Sequence, residues 1–592
     1  MNGKITKISE PVVFAEGVKG VKTADIVLVG KKKLCGEVRE ISGGSMAVQM
    51  YEFTSDLKTG QKLETTNEPL SVELGPGLLG SVFDGLQRPY TNSEKSSKAD
   101  TNVPALDRSR QWKFIPVAEK GDEVTGGAVL GTVSESGVIV HKIMVPHNIE
   151  GVIETIFEGL YTIDEVICVI KAPGGEKYKI TMLQKWPVRV PRPIGKNRVS
   201  TAPLYTGQRI IDTMLPIAKG GSAAAVGVPG SGKSVLANQL AKWAEVDVVV
   251  YVGCGIRGNE VADITQELNA GRDRRTEQPL ISRTVIVAST QDMHAATREC
   301  AVYTGATIAE YYRDMGLEVL LIIDSLTHWA DAMRLISEKL DEIPGEDGYP
   351  VYLNSRIAQI YERSGCITCR GDNSRYGSIT FVATVSPLRL DNRDPVTWVA
   401  QRYAGVYWQF DSMLAGERHF PSLSLIDSYS LNLSDLQKWH DRAFGPDFLE
   451  NSRKALKILQ KEADLRKIAK NFGEDSLAAS DQLILHSAKM ICEDFLKQDA
   501  FVSDDAFSTY EKQATLLSLI LFYHELCKEA LLKNITDVRK LFDLPACGLL
   551  GRAKTVRPEE FDEKFSQIAT ELESQIRSEV KRQTEEGGKK HD

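Results

Sequence analysis

The stretch from Gly227 to Ser234 reads Gly-Val-Pro-Gly-Ser-Gly-Lys-Ser, and it decides how the rest of the sequence is interpreted. It fits the pattern G-x-x-x-x-G-K-[ST] of a phosphate-binding loop. Glycines at these positions let successive backbone N–H groups turn towards phosphate oxygens. Ser222 to Val226 is typical of a short buried strand and Val235 to Trp243 of an amphipathic helix, the context that such a loop requires. A Gly-rich turn without a ligand is the alternative.

The loop predicts a set of nucleotide-binding residues, namely Gly227, Val228, Pro229, Gly230, Ser231, Gly232, Lys233 and Ser234. Lys233 is expected to reach the outer phosphates, and the Ser234 hydroxyl is expected to bind Mg²⁺. A second metal ligand is predicted at Asp324, which ends the apolar run Leu320 to Asp324. A carboxylate at the end of a buried strand can hold Mg²⁺ directly or through water, although it can also cap the next helix.

Strands and helices alternate from about residue 200 to residue 430. Besides the run before the loop, four nearly continuous apolar runs are rich in β-branched residues: Val246 to Val252, Arg283 to Ala288, Val319 to Asp324 and Ile379 to Val385. Helical patterns lie between them. This arrangement predicts a parallel sheet covered on both faces. After about residue 435 the apolar residues recur at helical spacing, which predicts a packed helical domain.

The fold class expected is a multidomain α/β protein. Apolar and polar residues alternate in short bursts over residues 1–70, a pattern typical of a small β-barrel. A second strand-rich and glycine-rich block covers residues 113–186. The predicted domains are therefore a barrel at 1–70, a nucleotide-binding core at 71–112 and 187–435, an inserted β-rich domain at 113–186 and a helical domain at 436–592.

The composition argues against a nucleic-acid partner and indicates the cellular compartment. The chain has 592 residues, a net charge of −8 and a pI of about 5.8, and no dense basic patch argues for a nucleic-acid partner. Its nine cysteines show no framework spacing, which favours a reducing, cytoplasmic setting. Met1 to Glu10 does not resemble a signal peptide. The longest apolar runs are too short to cross a bilayer, so membrane association is expected only through partners.

Motifs along nearly the whole chain resemble the A subunit of V/A-type rotary ATPases and ATP synthases, the catalytic subunit of that family. Beyond the phosphate loop, the resemblance is carried by Glu73–Leu79, Phe83–Pro89, His141–Pro146, Gln184–Val188, Thr206–Arg209 and Ile308–Gly316. Residues 113–186 occupy the position of the family's "bulge" insertion. The resemblance implies a β-barrel, a RecA-like core and a C-terminal helical bundle.

The resemblance also implies partners and further binding residues. Three A and three B subunits would alternate in a ring around a central stalk, with peripheral stalks and an ion-translocating sector in the membrane. The chain itself would be cytoplasmic and would lie on the cytoplasmic face of that membrane through the complex. ATP or ADP would bind with Mg²⁺ at A–B interfaces, where the B subunit supplies an arginine in trans. Phe420 and Phe501 match the aromatic residues that line the adenine site, although either could simply pack in a core.

The sequence departs from the family where the chemistry takes place. Family members read G-E-R-G-N-E after the second core strand, whereas Gly255 to Glu260 reads Gly-Ile-Arg-Gly-Asn-Glu. Ile256 therefore replaces the glutamate that polarises the attacking water, and His328 replaces an arginine. Val228-Pro229 stand where the family has Pro-Phe, and Ser386 to Asp391 lacks paired glycines. The catalytic residues expected are Lys233, Arg257, Glu260 and His328.

Three functions are compatible with these observations. The first is an A subunit that couples ATP synthesis or hydrolysis to H⁺ or Na⁺ transport. The second is an A-type paralogue that binds Mg-nucleotide, hydrolyses it poorly and serves a structural or regulatory role. Ile256 and His328 favour this second function on chemical grounds. The third is a RecA-like nucleic-acid motor, against which the acidic charge argues.

Overall fold

The computed structural model describes residues 2–18, 20–90, 103–387, 394–533, 535, 537–557 and 560–588. The part of the Ser386 to Asp391 stretch from Leu388 onward lies outside the described residues. The chain forms two compact units. The first comprises Met1–Ser200, Lys219–Val226 and Val246–Ala404, and the second comprises Thr201–Ala218, Gly227–Glu245 and Gly405–Asp592. No helix within the described residues combines the length and the apolar character needed to cross a bilayer.

The N-terminal strands close into a barrel in the first unit, as the alternating pattern predicts. Its strands are β1 (Asn2–Ser9), β2 (Val12–Glu16), β3 (Asp25–Val29), β4 (Leu34–Ser42), β5 (Ser45–Met50) and β6 (Lys62–Pro69), paired in the order β1-β2-β5-β4-β3-β6. Every second residue points inward, so that Val13, Val27, Val48 and Leu63 form part of a buried apolar core. Closure leaves the barrel without free strand edges.

A β-rich insertion follows β7 (Ser71–Leu74) and β8 (Val82–Phe83). Its strands are β9 (Trp112–Pro116), β10 (Glu123–Val124), β11 (Val129–Glu135), β12 (Ile139–Met144), β13 (Gly151–Ile156), β14 (Gly159–Tyr161), β15 (Val166–Lys171) and β16 (Lys177–Thr181). They form two four-stranded sheets, β10-β13-β15-β16 and β12-β11-β9-β14. The chain then returns through β17 (Gln184–Pro187), which pairs antiparallel with β7. The inserted β-rich block is confirmed, while the domain boundaries stay a prediction.

A parallel sheet forms the centre of the first unit. After β18 (Lys196–Arg198), its strands are β19 (Ser222–Val226), β20 (Val248–Ile256), β21 (Thr284–Thr290), β22 (Glu318–Asp324), β23 (Gly365–Thr368) and β24 (Tyr376–Val385). The order β19-β24-β22-β20-β21-β8 is parallel throughout, while β18 and β23 add antiparallel pairings at β24. The predicted apolar runs are thus confirmed as neighbouring parallel strands.

Helices cover this sheet. Numbered along the whole chain, α1 (Lys233–Trp243) belongs to the second unit, and the first unit contains α2 (Gly258–Ala270), α3 (Ala295–Asp314), α4 (Leu326–Lys339), α5 (Leu353–Tyr361) and α6 (Pro395–Tyr403). The helix α3 is buried along nearly its whole length. Its polar residues must therefore find partners inside the protein, because unpaired buried polar groups are costly.

The second unit is mainly helical. It contains a short antiparallel pair, β25 (Val406–Gln409) and β26 (Tyr429–Ser430), and a π-helical turn at Ile210–Met214. Its C-terminal helices are α7 (Ser412–Gly416), α8 (Leu433–Phe444), α9 (Asp447–Phe472), α10 (Ala479–Met490), α11 (Ser503–Ala506), α12 (Tyr510–Leu531), α13 (Pro545–Arg552) and α14 (Phe561–Gly588). The buried Arg209 guanidinium joins its first segment to these helices by an ion pair of 2.7 Å with Asp505. The C-terminal helical domain is confirmed.

Buried polar groups connect α3 to the β-rich insertion and to the segment that follows β17. His141 contacts Glu135 at 2.6 Å through Nδ1 and the Tyr311 hydroxyl at 2.9 Å through Nε2. Further along the helix, Asp314 accepts from Arg192 at 2.7 Å and from Arg313 at 2.8 Å. Burial by itself would raise the pKa of Asp314, but these two guanidinium groups outweigh it and hold the pKa well below its usual value. The carboxylate is therefore charged at neutral pH.

Replacing Asp314 by asparagine is expected to destabilise the first unit strongly. The substitution would remove the charge of a carboxylate that two buried guanidinium groups contact, leaving Arg313 only Glu310 at 3.9 Å. Breaking a buried ion pair typically costs about 3–5 kcal/mol. The measurement is the thermal unfolding midpoint. Asp164→Asn is the matched control, because Asp164 pairs with Arg108 at 2.9 Å but is 54% exposed, and exposed pairs contribute about 0–1 kcal/mol. Equal midpoints for the two variants would contradict this account.

Candidate nucleotide site

The phosphate loop connects β19 to α1. The strand ends at Val226, the loop begins at the next residue, and α1 starts at Lys233. Gly230 and Gly232 have φ angles of 81° and 95°, a left-handed conformation that side chains disfavour. Gly227 is required for another reason, since a Cβ there would lie 2.5 Å from the Cβ of Phe410. The local sequence thus produces a tight turn that ends at a helix N-terminus.

Lys233 turns back into this loop. The residue is buried, and its Nζ donates to the carbonyl oxygens of Gly227 at 2.6 Å and Val228 at 2.8 Å. Its ammonium group is thus held beside the loop that is predicted to bind phosphate. Ser234, the next residue, is exposed at the start of α1. Phosphate binding by Lys233 and Mg²⁺ binding by Ser234 stay predictions.

The two predicted adenine-lining aromatic residues also belong to the second unit. Phe420 is half-buried, and its carbonyl oxygen accepts from the Gln498 N–H at 2.7 Å. Phe501 is 90% exposed, and its N–H donates to the Asp499 carboxylate at 2.9 Å. A side chain that exposed does not serve as core, so packing fails to explain Phe501. Exposed aromatic faces can stack on a nucleobase, which remains the predicted role of both residues.

The predicted metal ligand Asp324 lies in the first unit, at the end of β22. Asp324 is only 7% exposed. One of its carboxylate oxygens accepts a hydrogen bond from the Tyr251 hydroxyl at 3.1 Å, and the other accepts one from the Thr384 hydroxyl at 2.5 Å. Burial, aided by the Asp324 charge, raises the pKa of Tyr251 well above its usual value, so the phenol stays protonated and donates. The carboxylate is thus held in one orientation at the carboxyl end of the sheet.

Ile256 is the last residue of β20, and its side chain folds back over Gly253 of the same strand. Only 7% of the residue is exposed, and a Cβ placed on Gly253 would lie 2.3 Å from Ile256 Cδ1. Gly253 is the residue that pairs with Asp324 in the neighbouring strand. An apolar group therefore covers the strand next to the predicted metal ligand. It offers no acceptor for a water proton.

His328 packs against the same turn. Gly255 has a φ angle of 69°, and a Cβ there would lie 2.7 Å from His328 Cβ. The Nδ1 atom of His328 lies 3.0 Å from the Ser325 hydroxyl, which also accepts the His328 N–H at 3.3 Å. The ring is thus fixed beside the turn that contains Ile256. His328 therefore lies against Gly255, the residue that precedes Ile256.

Glu260 has a local partner. Its Oε2 accepts from the Arg257 N–H at 3.1 Å, so the carboxylate satisfies a free donor at the start of α2. Both residues are exposed. In this position Glu260 acts as a helix cap, and it would have to leave that contact to orient a water molecule. Its catalytic role and that of Arg257 stay predictions.

Two residues that the sequence analysis did not identify hold the predicted metal ligand. Tyr251 and Thr384 lie on β20 and β24, the strands on either side of β22. A hydroxyl within an otherwise apolar parallel strand is the signal that could have indicated them. Its meaning depends on strand order, which the sequence does not specify.

Family models match four successive parts of the chain. They describe the ATP synthase alpha/beta family beta-barrel domain at residues 5–67, the alpha/beta subunit barrel-sandwich domain at 103–189, the alpha/beta family nucleotide-binding domain at 207–430 and the C-terminal domain of V and A type ATP synthase at 437–538.

Curated relatives extend over nearly the whole length. The chain is 44% identical to the V-type ATP synthase alpha chain of Acetivibrio thermocellus, over 97% of this chain and 98% of the relative. It is 45% identical to the A subunit of the A-type ATP synthase of Methanopyrus kandleri, again over 97% and 98%. The chain belongs to the V/A-type ATP synthase A-subunit family. The resemblance inferred from the motifs is therefore confirmed.

A solved structure supports the fold alone. The chain is similar to the assembled ATPase EscN from the type III secretion system of enteropathogenic E. coli, with a TM-score of 0.64 and 21% sequence identity. The match covers 88% of this chain and 100% of the other. At this identity, the likeness concerns architecture and carries no inference about activity.

Lys233→Ala is expected to abolish binding of Mg-ATP and Mg-ADP, because it removes the only ammonium group that the loop itself contributes. Isothermal titration calorimetry on the full-length chain measures this. Lys242→Ala, at the other end of α1, is the matched control and is expected to bind as the unmodified chain does. Unchanged nucleotide affinity in the Lys233 variant would contradict the predicted role of Lys233 in binding phosphate.

Proposed function

We propose that this chain is the A subunit of a V/A-type rotary ATPase or ATP synthase and that it binds Mg-ATP or Mg-ADP through its phosphate loop. The observation that carries the proposal is the loop itself, with Lys233 buried in it at the start of α1. It lies within the segment that matches the ATP synthase nucleotide-binding domain. The phosphates are to be bound by the residues from Gly227 to Ser234, and the base by Phe420 and Phe501.

Strand order supports a metal-binding role for Asp324. The loop follows β19, Asp324 ends β22, and one parallel strand, β24, separates β19 from β22 in the sheet. The carboxyl ends of parallel strands meet at one edge, where ligands of such sheets bind. We therefore assign the metal to this edge, where Asp324 lies.

The residues present suit Mg²⁺. Ser234 and Asp324 provide hydroxyl and carboxylate oxygens, the donors that Mg²⁺ prefers. Both Asp324 oxygens already accept a hydroxyl hydrogen bond, which favours contact with the ion through water. Mg²⁺ would neutralise phosphate charge. Tyr251 and Thr384 keep the carboxylate oriented, and Lys233 provides a second positive charge at the phosphates.

The partners follow from the family. The proposed assembly is an alternating ring of three A and three B subunits, with central and peripheral stalks and an ion-translocating sector in the membrane. Nucleotide would bind at A–B interfaces, with an arginine from the B subunit in trans. The chain would then lie on the cytoplasmic face of the membrane, and ATP synthesis or hydrolysis would be coupled to transport of H⁺ or Na⁺.

A second candidate function is favoured by Ile256. In this alternative the chain is an A-type paralogue that binds nucleotide and turns it over slowly. Ile256 occupies the position of the family glutamate, its apolar side chain covers Gly253, and Glu260 caps α2 instead of replacing that glutamate. His328, in place of the family arginine, lacks the permanent charge and the planar fork of that residue. These groups affect the chemical step more than binding.

The assembly is testable by native mass spectrometry of the chain mixed with its B-type partner. Alternating hexamers are expected, because a nucleotide site that requires an arginine from a neighbour is incomplete in a single chain. The chain alone, measured under the same conditions, is the control. Failure to associate across a range of salt and nucleotide concentrations would count against the proposal.

Turnover is testable by Ile256→Glu combined with His328→Arg. A positioned base typically contributes 10²- to 10⁴-fold, so single-turnover hydrolysis is expected to rise by at least about 10²-fold. Nucleotide affinity is expected to stay within a few-fold, because Lys233, Ser234 and Asp324 are unchanged. The measurement uses the A–B complex, which supplies the trans arginine.

Ile256→Gln is the control for this comparison, since it introduces a polar side chain that lacks a carboxylate. It is expected to leave hydrolysis close to the unmodified rate. If the unmodified complex already hydrolyses ATP at a rate that the double variant does not improve, the alternative of a weakened subunit is wrong. Glu260 or a residue of the partner would then supply the missing function.

A further inference from the structure

The segment His419–Ser422, which we call the strap, contacts the phosphate loop from a distant part of the sequence. The Ser422 hydroxyl donates to the Ser231 carbonyl oxygen at 2.6 Å. Ser422 is only 2% exposed, and its own carbonyl oxygen accepts from the Asp411 N–H at 2.8 Å. The Ser422 residue is thus held between two segments, with its hydroxyl on Ser231 and its carbonyl oxygen on Asp411. The Ser231 carbonyl is thereby fixed as well.

The other residues of the strap are held by the C-terminal part of the second unit. The Phe420 carbonyl oxygen accepts from the Gln498 N–H at 2.7 Å. The two ring nitrogens of His419 lie 3.1 Å from the carbonyl oxygens of Cys492 and Pro421. The strap therefore links the phosphate loop to the C-terminal helices, and it contains one of the predicted base-binding aromatic residues.

Fixing one carbonyl group also fixes a donor on the opposite side of the loop. The C=O of Ser231 and the N–H of Gly232 belong to the same peptide unit, which is planar and, when trans, points these groups in opposite directions. Because Ser422 holds the carbonyl, the Gly232 N–H is directed away from the strap. Phosphate loops bind their ligand with such backbone N–H groups.

We propose that Ser422 is a positioning residue of the phosphate loop, which it holds ready for phosphate through the Ser231 carbonyl. The inference rests on the proposed function, in which this loop binds nucleotide phosphates. Because Phe420 lies two residues before Ser422, base contact and phosphate contact share one short segment. The strap thus couples recognition of the base to the geometry of the loop.

The test compares two probes on the A–B complex by calorimetry, namely Mg-ATP and inorganic pyrophosphate with Mg²⁺. Ser422→Ala is expected to weaken both by about three- to tenfold, the range for loss of one neutral hydrogen bond. Phe420→Leu is expected to weaken Mg-ATP while leaving pyrophosphate unchanged. Ser424→Ala is the matched control, because the Ser424 hydroxyl bonds Asp427 in the same loop and is expected to affect neither probe.

The outcomes are distinguishable. If the unmodified A–B complex binds Mg-ATP and the Ser422→Ala complex binds both probes equally well, the inference is overturned and the proposed function stands. If the unmodified A–B complex binds neither probe, the proposed function fails, and the inference fails with it. If the alanine variant does not fold, Ser422→Cys replaces it in the test, because cysteine has a similar size but is a weak hydrogen-bond donor. The cysteine variant is expected to bind both probes more weakly than the unmodified protein. Unmodified affinity in the cysteine variant would overturn the inference.

Discussion

Parallel pairing of β19, β24, β22 and β20 is the constraint on which the candidate site depends. Register within the sheet sets Asp324 beside Gly253 of one neighbour, and the other neighbour, β24, ends one residue beyond Thr384. Hydroxyl donors from both neighbours then reach the two oxygens of one carboxylate. A slip of one residue in any of these strands would turn the side chains to the opposite face and separate them.

Much of this architecture follows from patterns that are local in sequence. The β-branched runs predicted the parallel strands, the alternation before residue 70 predicted the barrel, and the helical spacing after residue 435 predicted the last domain. The phosphate loop was evident because its glycines, lysine and serine are consecutive in the sequence. Each of these features depends on a residue and its near neighbours, which a single sequence contains.

The contacts that orient the site were not predictable in the same way. Ser422 reaches Ser231 across 191 residues, and Tyr251 meets Asp324 across 73. Neither serine nor tyrosine has a distinctive sequence neighbourhood, so their partners emerge only when strand order and loop paths are known. The contact of Glu260 is a different case, because it is local in sequence. The sequence alone does not distinguish a carboxylate that caps α2 from one that orients a water molecule. The geometry supports the cap.

The second unit is assembled from three separate stretches of chain, and this limits how the protein can be divided experimentally. A fragment that begins at Gly405 would lack Arg209 and Asp212, which are buried against the C-terminal helices. Asp505 would lose its guanidinium partner, and Gln513 would lose the carboxylate to which it donates at 2.9 Å. Such a fragment would expose charged and amide groups in surfaces shaped to bury them. The helical domain is therefore a product of the whole chain and is unsuited to expression by itself.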